Sequence, residues 1–545
     1  MKKIFGLLFV TICVSNIYSQ NDSVQKHFDI FKAGDIYNAV WRELDINYVD
    51  TLNHERLNEI AISKMLEQLD PYTVYIPENE ENELKQMTSG TYGGIGATVQ
   101  KNGENVMIAT PYFGMPAQRN DLRAGDEILE VDGEKMTGKS VSYVSERLRG
   151  VPGTEIKVKI RRPNEKKLIE KKFLREVIKI NPIGYFGVIS DTIGYIELND
   201  FTDKSMSDFK AALNNINENQ HITQLIIDLR GNGGGLVSEA VNIASLFVPK
   251  NTKIVSMKGK NRINITDYKT PFSPILPDIP LVFIVDENTA SAAEILAGAL
   301  QDLDRAVIVG ERSFGKGLVQ NIRQLPFGGY LKVTTAKYYL PSGRCIQAID
   351  YAEDSDKSRH IPDSLTNEFK TAKGRIVRDK SGIMPDVLVK EKEGNYISYY
   401  LYMKNIIFDF ATKYFYSHPK IDDAKKFNIS DADYENFIAF VKEKKFTYSL
   451  ESEKMVQSLK KVVEYEGYQE RANEYLEKLS EILKPDLDKD IHEFRPDIQR
   501  YIEGEIVRRY YFQNGSSEYR LRYDEWVQKA LETLKGNEIY RKILK

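Results

Sequence analysis

At 545 residues the chain is too long for one hydrophobic core and predicts three or four domains. Its 41% hydrophobic and 28% charged residues are those of a globular protein, which excludes a disordered or fibrous chain. With 76 basic and 79 acidic residues the net charge is -3, which speaks against nucleic acid as a main partner.

Residues 1–19 read as an export signal. Lys2 and Lys3 precede an apolar run from Ile4 to Val14, and Ile17-Tyr18-Ser19 offers a small-residue cleavage site before Gln20. The run is short for a bilayer core of about 30 Å, so cleavage is expected rather than anchoring. The expected location is therefore periplasmic, with membrane association as the alternative. If Cys13 leaves with the signal, Cys345 is alone and no intrachain disulfide forms.

Residues 20–87 read as a helical region. Ile36, Val40 and Leu44, then Leu57, Ile60, Met65 and Leu69, recur near helical spacing until Asp70-Pro71 breaks the pattern. Residues 88–175 change character. Short strands are expected at Ile95 to Val99, Val106 to Ala109, Glu127 to Val131 and Ile156 to Ile160, with a hairpin turn at Asp132-Gly133 and a helix from Ser140 to Leu148. Such a half-open β module is a barrel or a peptide-binding domain.

From 176 to 394 buried strands alternate with helices. The strands are Leu225 to Leu229, Leu281 to Val285 and Ala306 to Val309; the helices are Glu239 to Phe247 and Ser291 to Leu303. That alternation argues for an α/β layer. Residues 395–545 read as a charged, tyrosine-rich helical extension that packs on the core, with Trp526, Leu531 and Leu534 near helical spacing.

Three loops of the α/β region carry chemistry. Gly231-Asn232-Gly233-Gly234-Gly235 lets backbone N–H groups approach an anion, as a phosphate site or an oxyanion hole would, or it is only a flexible loop. Ser291 opens a helix of small residues, where a serine is most often just an N-cap but where a nucleophile also gains from the helix dipole. Gly310 to Lys316 nearly matches a phosphate-binding loop, but Gly317 stands where a magnesium-binding Ser or Thr belongs, and Leu318 to Leu325 looks extended rather than helical. A lysine between glycines can instead be buried beside an alcohol. Burial lowers its pKa, and a neutral amine can take a serine proton. No histidine falls in these loops to compete for that role.

Residues from about 30 to 395 resemble the carboxy-terminal processing peptidases, also called tail-specific proteases. The resemblance rests on Tyr92-Gly93-Gly94-Ile95-Gly96, Leu122 to Leu129, Arg149-Gly150, Asp228 to Gly235, Thr289 to Glu294, Val309-Gly310-Glu311, Phe314 to Gln320, Tyr339 to Gly343 and Gly382 to Asp386. It implies a multidomain α+β protein: a crotonase-like (ClpP-like) α/β peptidase core, a PDZ β module inserted or preceding it, and helical regions at both ends. It implies Ser291 as nucleophile, Lys316 as general base 25 positions later, and Gln320 as the polar residue that orients the lysine. Gly234, Gly235 and the Ala292 amide match the oxyanion hole. Gly93, Gly94, Ile95 and Gly96 match the PDZ segment that receives a substrate's terminal carboxylate, and Arg149 matches a gating arginine. The expected partners are proteins or peptides with exposed apolar C-termini, with an adaptor protein and a homodimer also open. The expected reaction needs no cofactor. Two departures stand out: Gly233 where many members have proline, and Asn120-Asp121 for a common Ala-Gly. The rival readings are a nucleotide-binding enzyme using Gly310 to Lys316 and a non-catalytic PDZ scaffold.

Overall fold

The computed structural model describes residues 2–78, 90–260, 265–349, 351, 361–390 and 394–545. They fall into two compact units, one of residues 1–78 with 322–333, the other of 79–321 with 334–545.

In the first unit the backbone of Lys2–Asn47 is one helix, and a second helix, His54–Leu66, follows. The helical region expected over residues 20–87 is divided here because Asn53 caps a new start, its side chain accepting from the Arg56 N–H. The Asp70-Pro71 break is where the sequence places it. The Asp70 carboxylate accepts from the N–H groups of Tyr72 and Thr73, each at 2.8 Å. The chain then turns into Val74–Ile76, which pairs antiparallel with residues 330–332. The last part of the expected helical region, to Met87, lies outside the described residues. No described helix is long and apolar enough to cross a membrane.

The β module in the second unit is a six-stranded antiparallel sheet. It wraps the helix Val141–Leu148 around a core that includes Ile108, Leu122, Ile128, Val144, Ile156 and Ile160. Its first strand begins at Ala97 rather than Ile95, because Gly96 has a φ of +72° and turns the chain before the strand can start. Asp132 and Gly133 form the expected turn with φ of +50° and +85°, the two positive values a type I′ hairpin requires. Asp121, part of one of the two departures noted in the sequence, also takes a positive φ of +58°. Its carboxylate is held by Arg123, Arg162 and Lys171.

The α/β core is a second six-stranded sheet. Its order is Ile183–Ser190, Ile193–Leu198, Gln224–Asp228, Leu281–Val285, Val307–Gly310 and Val387–Leu388. Only the first pair is antiparallel. Both faces are covered, which is why its strands read as unbroken apolar runs rather than alternating ones. Ile227, Phe283 and Ile308 face the helices Ser205–Gln220, Val237–Ala244 and Ala292–Asp302. Ile226, Val282, Ile284, Val307 and Val309 face Trp526, Val527, Ala530, Leu534, Tyr540 and Leu544.

The C-terminal region therefore does two things. Helices such as Ile406–Ser417, Asp431–Glu443 and Arg495–Arg520 build a bundle with its own core. Glu525–Leu534 and Glu538–Ile543 return to the peptidase sheet and supply its second covering layer.

Candidate active site

Three neighbouring parallel strands end together, with Asp228 opposite Ile284 and Val285 opposite Gly310. Their following loops must therefore meet at the carboxyl edge of the sheet, where such folds place their chemistry. These are the three loops singled out above.

The glycine loop is held from both sides. The Asn232 side chain donates to the Leu198 carbonyl at 2.7 Å and accepts the Gly234 N–H at 2.9 Å, while its own carbonyl accepts the Ala290 N–H at 2.9 Å. Gly234 and Gly235 have φ of +103° and +133°. A Cβ on Gly234 would stand 2.7 Å from the Ser291 Cβ and 2.9 Å from the Ala292 nitrogen; one on Gly235 would stand 2.4 Å from the Phe201 carbonyl. Only glycine lets this loop lie against the serine.

Ser291 is half-buried and takes φ +56°, ψ −117°, a backbone conformation that costs a non-glycine residue on the order of 1–3 kcal/mol. It stands at the head of a helix, after the loop of residues 286–290 that follows the strand Leu281–Val285. That helix, Ala292–Asp302, is buried along its whole length and starts with two alanines, which leave room above the serine.

Glu294 ties Ser291 to the lysine loop. Fully buried, it accepts the Ser291 N–H at 2.9 Å, the Ser313 hydroxyl at 2.6 Å, the Gly315 N–H at 2.7 Å and the Lys316 N–H at 2.8 Å. Burial pushes its carboxyl above the ordinary 4.5, although all four donors pull the other way. The Tyr338 hydroxyl, 1% exposed, donates to the Lys316 carbonyl and lies 3.3 Å from the Ser291 carbonyl. The peptide groups of residues 291 and 316 are thus joined twice, through their N–H groups by Glu294 and through their carbonyls by Tyr338. Glu294 carried a signal in the sequence, since a serine followed three residues later by glutamate at a helix start is a capping-box pattern. Tyr338 carried none.

The lysine loop is not a phosphate cradle. No helix follows Lys316; the chain runs directly into the strand Leu318–Gln324, as its extended look in the sequence predicts. Gly310 is pressed against the sheet, where a Cβ would come within 2.1 Å of the Val285 carbonyl. The nucleotide reading loses the helix N-terminus it depends on. Gln320 lies on that strand, half-buried, and donates to the Thr334 hydroxyl at 3.2 Å.

In the β module, Thr91–Gly94 pairs with Glu176–Lys179, so Gly93 and Gly94 are part of a ribbon. The Gly93 carbonyl accepts the Gly150 N–H at 3.1 Å, and a Cβ on Gly93 would collide with the Gly150 carbonyl at 2.0 Å. The Ile95 carbonyl accepts from Ala117 at 2.7 Å, and that of Gly96 from Tyr112 at 2.9 Å. Arg149 ends the module's helix and stacks on Tyr92, 5.1 Å from its ring centre. Burial and the neighbouring Tyr112 push the Tyr92 phenol up to about 12 against the opposing charge of Arg149.

Comparison with known proteins agrees with this layout. Residues 192–356 match peptidase family S41, residues 93–172 a PDZ domain, and residues 397–534 the C-terminal helical domain of probable PDZ-proteases. A carboxy-terminal-processing protease of Bartonella bacilliformis is 32% identical over 355 residues, 65% of this chain and 80% of its own length. A probable CtpA-like serine protease of Staphylococcus aureus is 32% identical over 309 residues, 56% of this chain and 61% of its own length. Among solved structures, a photosystem II D1 C-terminal processing protease is 28% identical, with a TM-score of 0.36 over 65% of this chain and 92% of that one. The chain is a peptidase of family S41 that carries a PDZ domain. Within that class it belongs to the carboxy-terminal processing proteases.

Proposed function

We propose that the protein is a serine endopeptidase that cleaves exported proteins at or near their C-termini, with Ser291 as nucleophile and Lys316 as general base. The observation that supports this reading is the double bracing of the peptide groups of residues 291 and 316 by Glu294 and Tyr338, which ties the backbone of the serine loop to that of the lysine loop.

The neutral Lys316 amine takes the Ser291 proton as the hydroxyl oxygen bonds to the scissile carbonyl carbon. Negative charge builds on the carbonyl oxygen beside the Gly235 and Ala292 amides, in the loop that Gly234 shapes while its own N–H stays on Asn232. Such donors typically contribute about 3 kcal/mol each to the transition state. The protonated lysine returns its proton to the departing amine, leaving an acyl-serine. Lys316 then takes a proton from water as the water oxygen attacks the ester, and it returns that proton to the Ser291 oxygen as the acyl bond breaks. Gln320 orients the amine through the resemblance that assigns it, and the Gly93 to Gly96 segment receives the substrate's terminal carboxylate as its tail adds along Ala97–Asn102.

The test is cleavage of an unstructured protein with an apolar C-terminal tail. Ser291→Ala and Lys316→Ala should each lower turnover by roughly 1,000-fold or more. Equal rates for wild type and both variants would sink the assignment.

A further inference from the structure

The foot of the glycine loop carries a buried charge cluster that the proposed chemistry does not use. Asp228, at the end of its strand, is 3% exposed. The Arg230 Nε lies 3.0 Å from both Asp228 oxygens, and the Tyr195 hydroxyl donates to Oδ2 at 2.7 Å. The same guanidinium reaches Asp524, 294 positions later, with Nη1 to Oδ1 at 3.1 Å and Nη2 to Oδ2 at 2.6 Å. One planar cation is clamped by two carboxylates from distant parts of the chain.

Asp524 has a second task. Its Oδ1 accepts the N–H groups of Trp526 and Val527, each at 3.1 Å, and so caps Glu525–Leu534. The Trp526 ring then lies 5.4 Å from the Arg230 guanidinium. It also closes on the root of the lysine loop, where a Cβ on Gly310 would come within 3.1 Å of the ring. One helix start therefore touches the bases of both catalytic loops, at the end of the layer that covers the sheet opposite the nucleophile helix.

We propose that Asp524 and Trp526 are positioning residues for the peptidase reaction, setting the glycine loop through Arg230 and the lysine loop through Gly310. The C-terminal helix is then a working part of the peptidase, not an appended domain. This inference rests on the Ser291–Lys316 reading above. The division of labour on Asp524 makes it separable from plain stability. Oδ1 alone serves the cap, whereas Oδ2 serves only Arg230. Asparagine keeps a capping oxygen but turns an amide toward the guanidinium.

Asp524→Asn should lower kcat by about 10- to 100-fold, the usual cost of a small misplacement at a reacting centre. KM, tail-peptide binding and Tm should stay near wild type. Trp526→Phe keeps an aromatic ring and the cap, so a smaller fall in kcat is expected. Asp486→Ala removes the cap of Leu487–Glu493, a helix that packs in the separate core of the C-terminal bundle, and should leave kcat unchanged. Wild-type kcat in Asp524→Asn would overturn the inference. So would a fall that Asp486→Ala reproduces, or one that moves in step with Tm and KM. Should Asp524→Asn fail to fold, unchanged kcat in Trp526→Phe overturns it instead. Ser291→Ala in the same assay separates the two readings. An active Ser291→Ala defeats the assignment of the site, whereas an inert one beside a fully active Asp524→Asn defeats only the role of the helix.

Discussion

Two arginines, buried Arg162 in the PDZ module and partly buried Arg230 in the peptidase core, each hold a buried aspartate in a two-pronged grip, yet the outcomes differ. Arg162 binds Asp126 through Nε at 2.8 Å and Nη2 at 2.9 Å, with Asp121 as second partner. The charged groups of that cluster all come from residues 121–171, with the Tyr416 phenol of the C-terminal bundle beside them. Arg230 binds Asp228 next to it and Asp524 from the far C-terminal region. Burial wins at Asp126 and pushes its carboxyl up, against the pull of Arg162 and the Arg123 N–H. At Asp228 burial pushes up as well, but the charge and hydrogen bonds of Arg230, helped by Tyr195, outweigh it and hold the carboxyl down. The lesson is that a local cluster staples one module, whereas a cluster spanning segments makes one loop depend on another part of the chain.

The largest effect should come from removing the cation. Arg162→Met leaves Asp126 buried without its partner, a loss of about 3–5 kcal/mol that falls on the PDZ module alone. Tail binding should vanish while a short unstructured peptide is still turned over. Arg230→Met should do the reverse, ending turnover and sparing tail binding. Loss of both functions in both variants, measured by peptide binding and turnover side by side, would erase the distinction.

A middle-sized effect separates the regions by their glycines. Gly234→Ala forces a Cβ against Ser291 and should lower kcat by about 100-fold with tail binding intact. Gly93→Ala forces one against the Gly150 carbonyl and should weaken tail binding first. A kcat defect in Gly93→Ala as deep as that of Gly234→Ala would blur the line between recognition and chemistry.

The smallest effect is in acid. Asp126 holds its proton more tightly folded than unfolded, so its contribution to stability is complete below the ordinary 3.8 and fades as pH rises through its raised value. Asp228 does the opposite: its contribution is complete above 3.8 and is lost as pH falls toward its depressed value. On acidification through about pH 4 and below, the peptidase sheet should lose amide-exchange protection before the PDZ sheet, and Asp228→Asn should remove that acid loss. Earlier opening of the PDZ sheet would contradict the two signs.

Local patterns were readable in the sequence because neighbours decide them. The run Leu281–Val285 became a strand without adjustment, and Asp132-Gly133 turned where it should. The serine and lysine loops were placed by motif, and parallel register then brought them to one edge. What stayed hidden was set by partners far along the chain. Tyr338 and Asp524 give no local sign of the loops they hold, and Glu294 passes for an ordinary helix cap until Ser313, Gly315 and Lys316 are seen bonded to it. The C-terminal region read as one extension because periodicity reports that a helix is amphipathic, not which sheet or bundle its apolar face meets.

The covering layer on the peptidase sheet has a consequence for biogenesis. Trp526 to Leu544 follow, in order of synthesis, every strand they shelter. A nascent polypeptide that has released the strands but not this segment exposes Ile226, Val282, Ile284 and Val307 as one sticky surface, the kind of face that invites aggregation or a holdase. Maturation of the protease therefore waits on helices that emerge after every strand they cover.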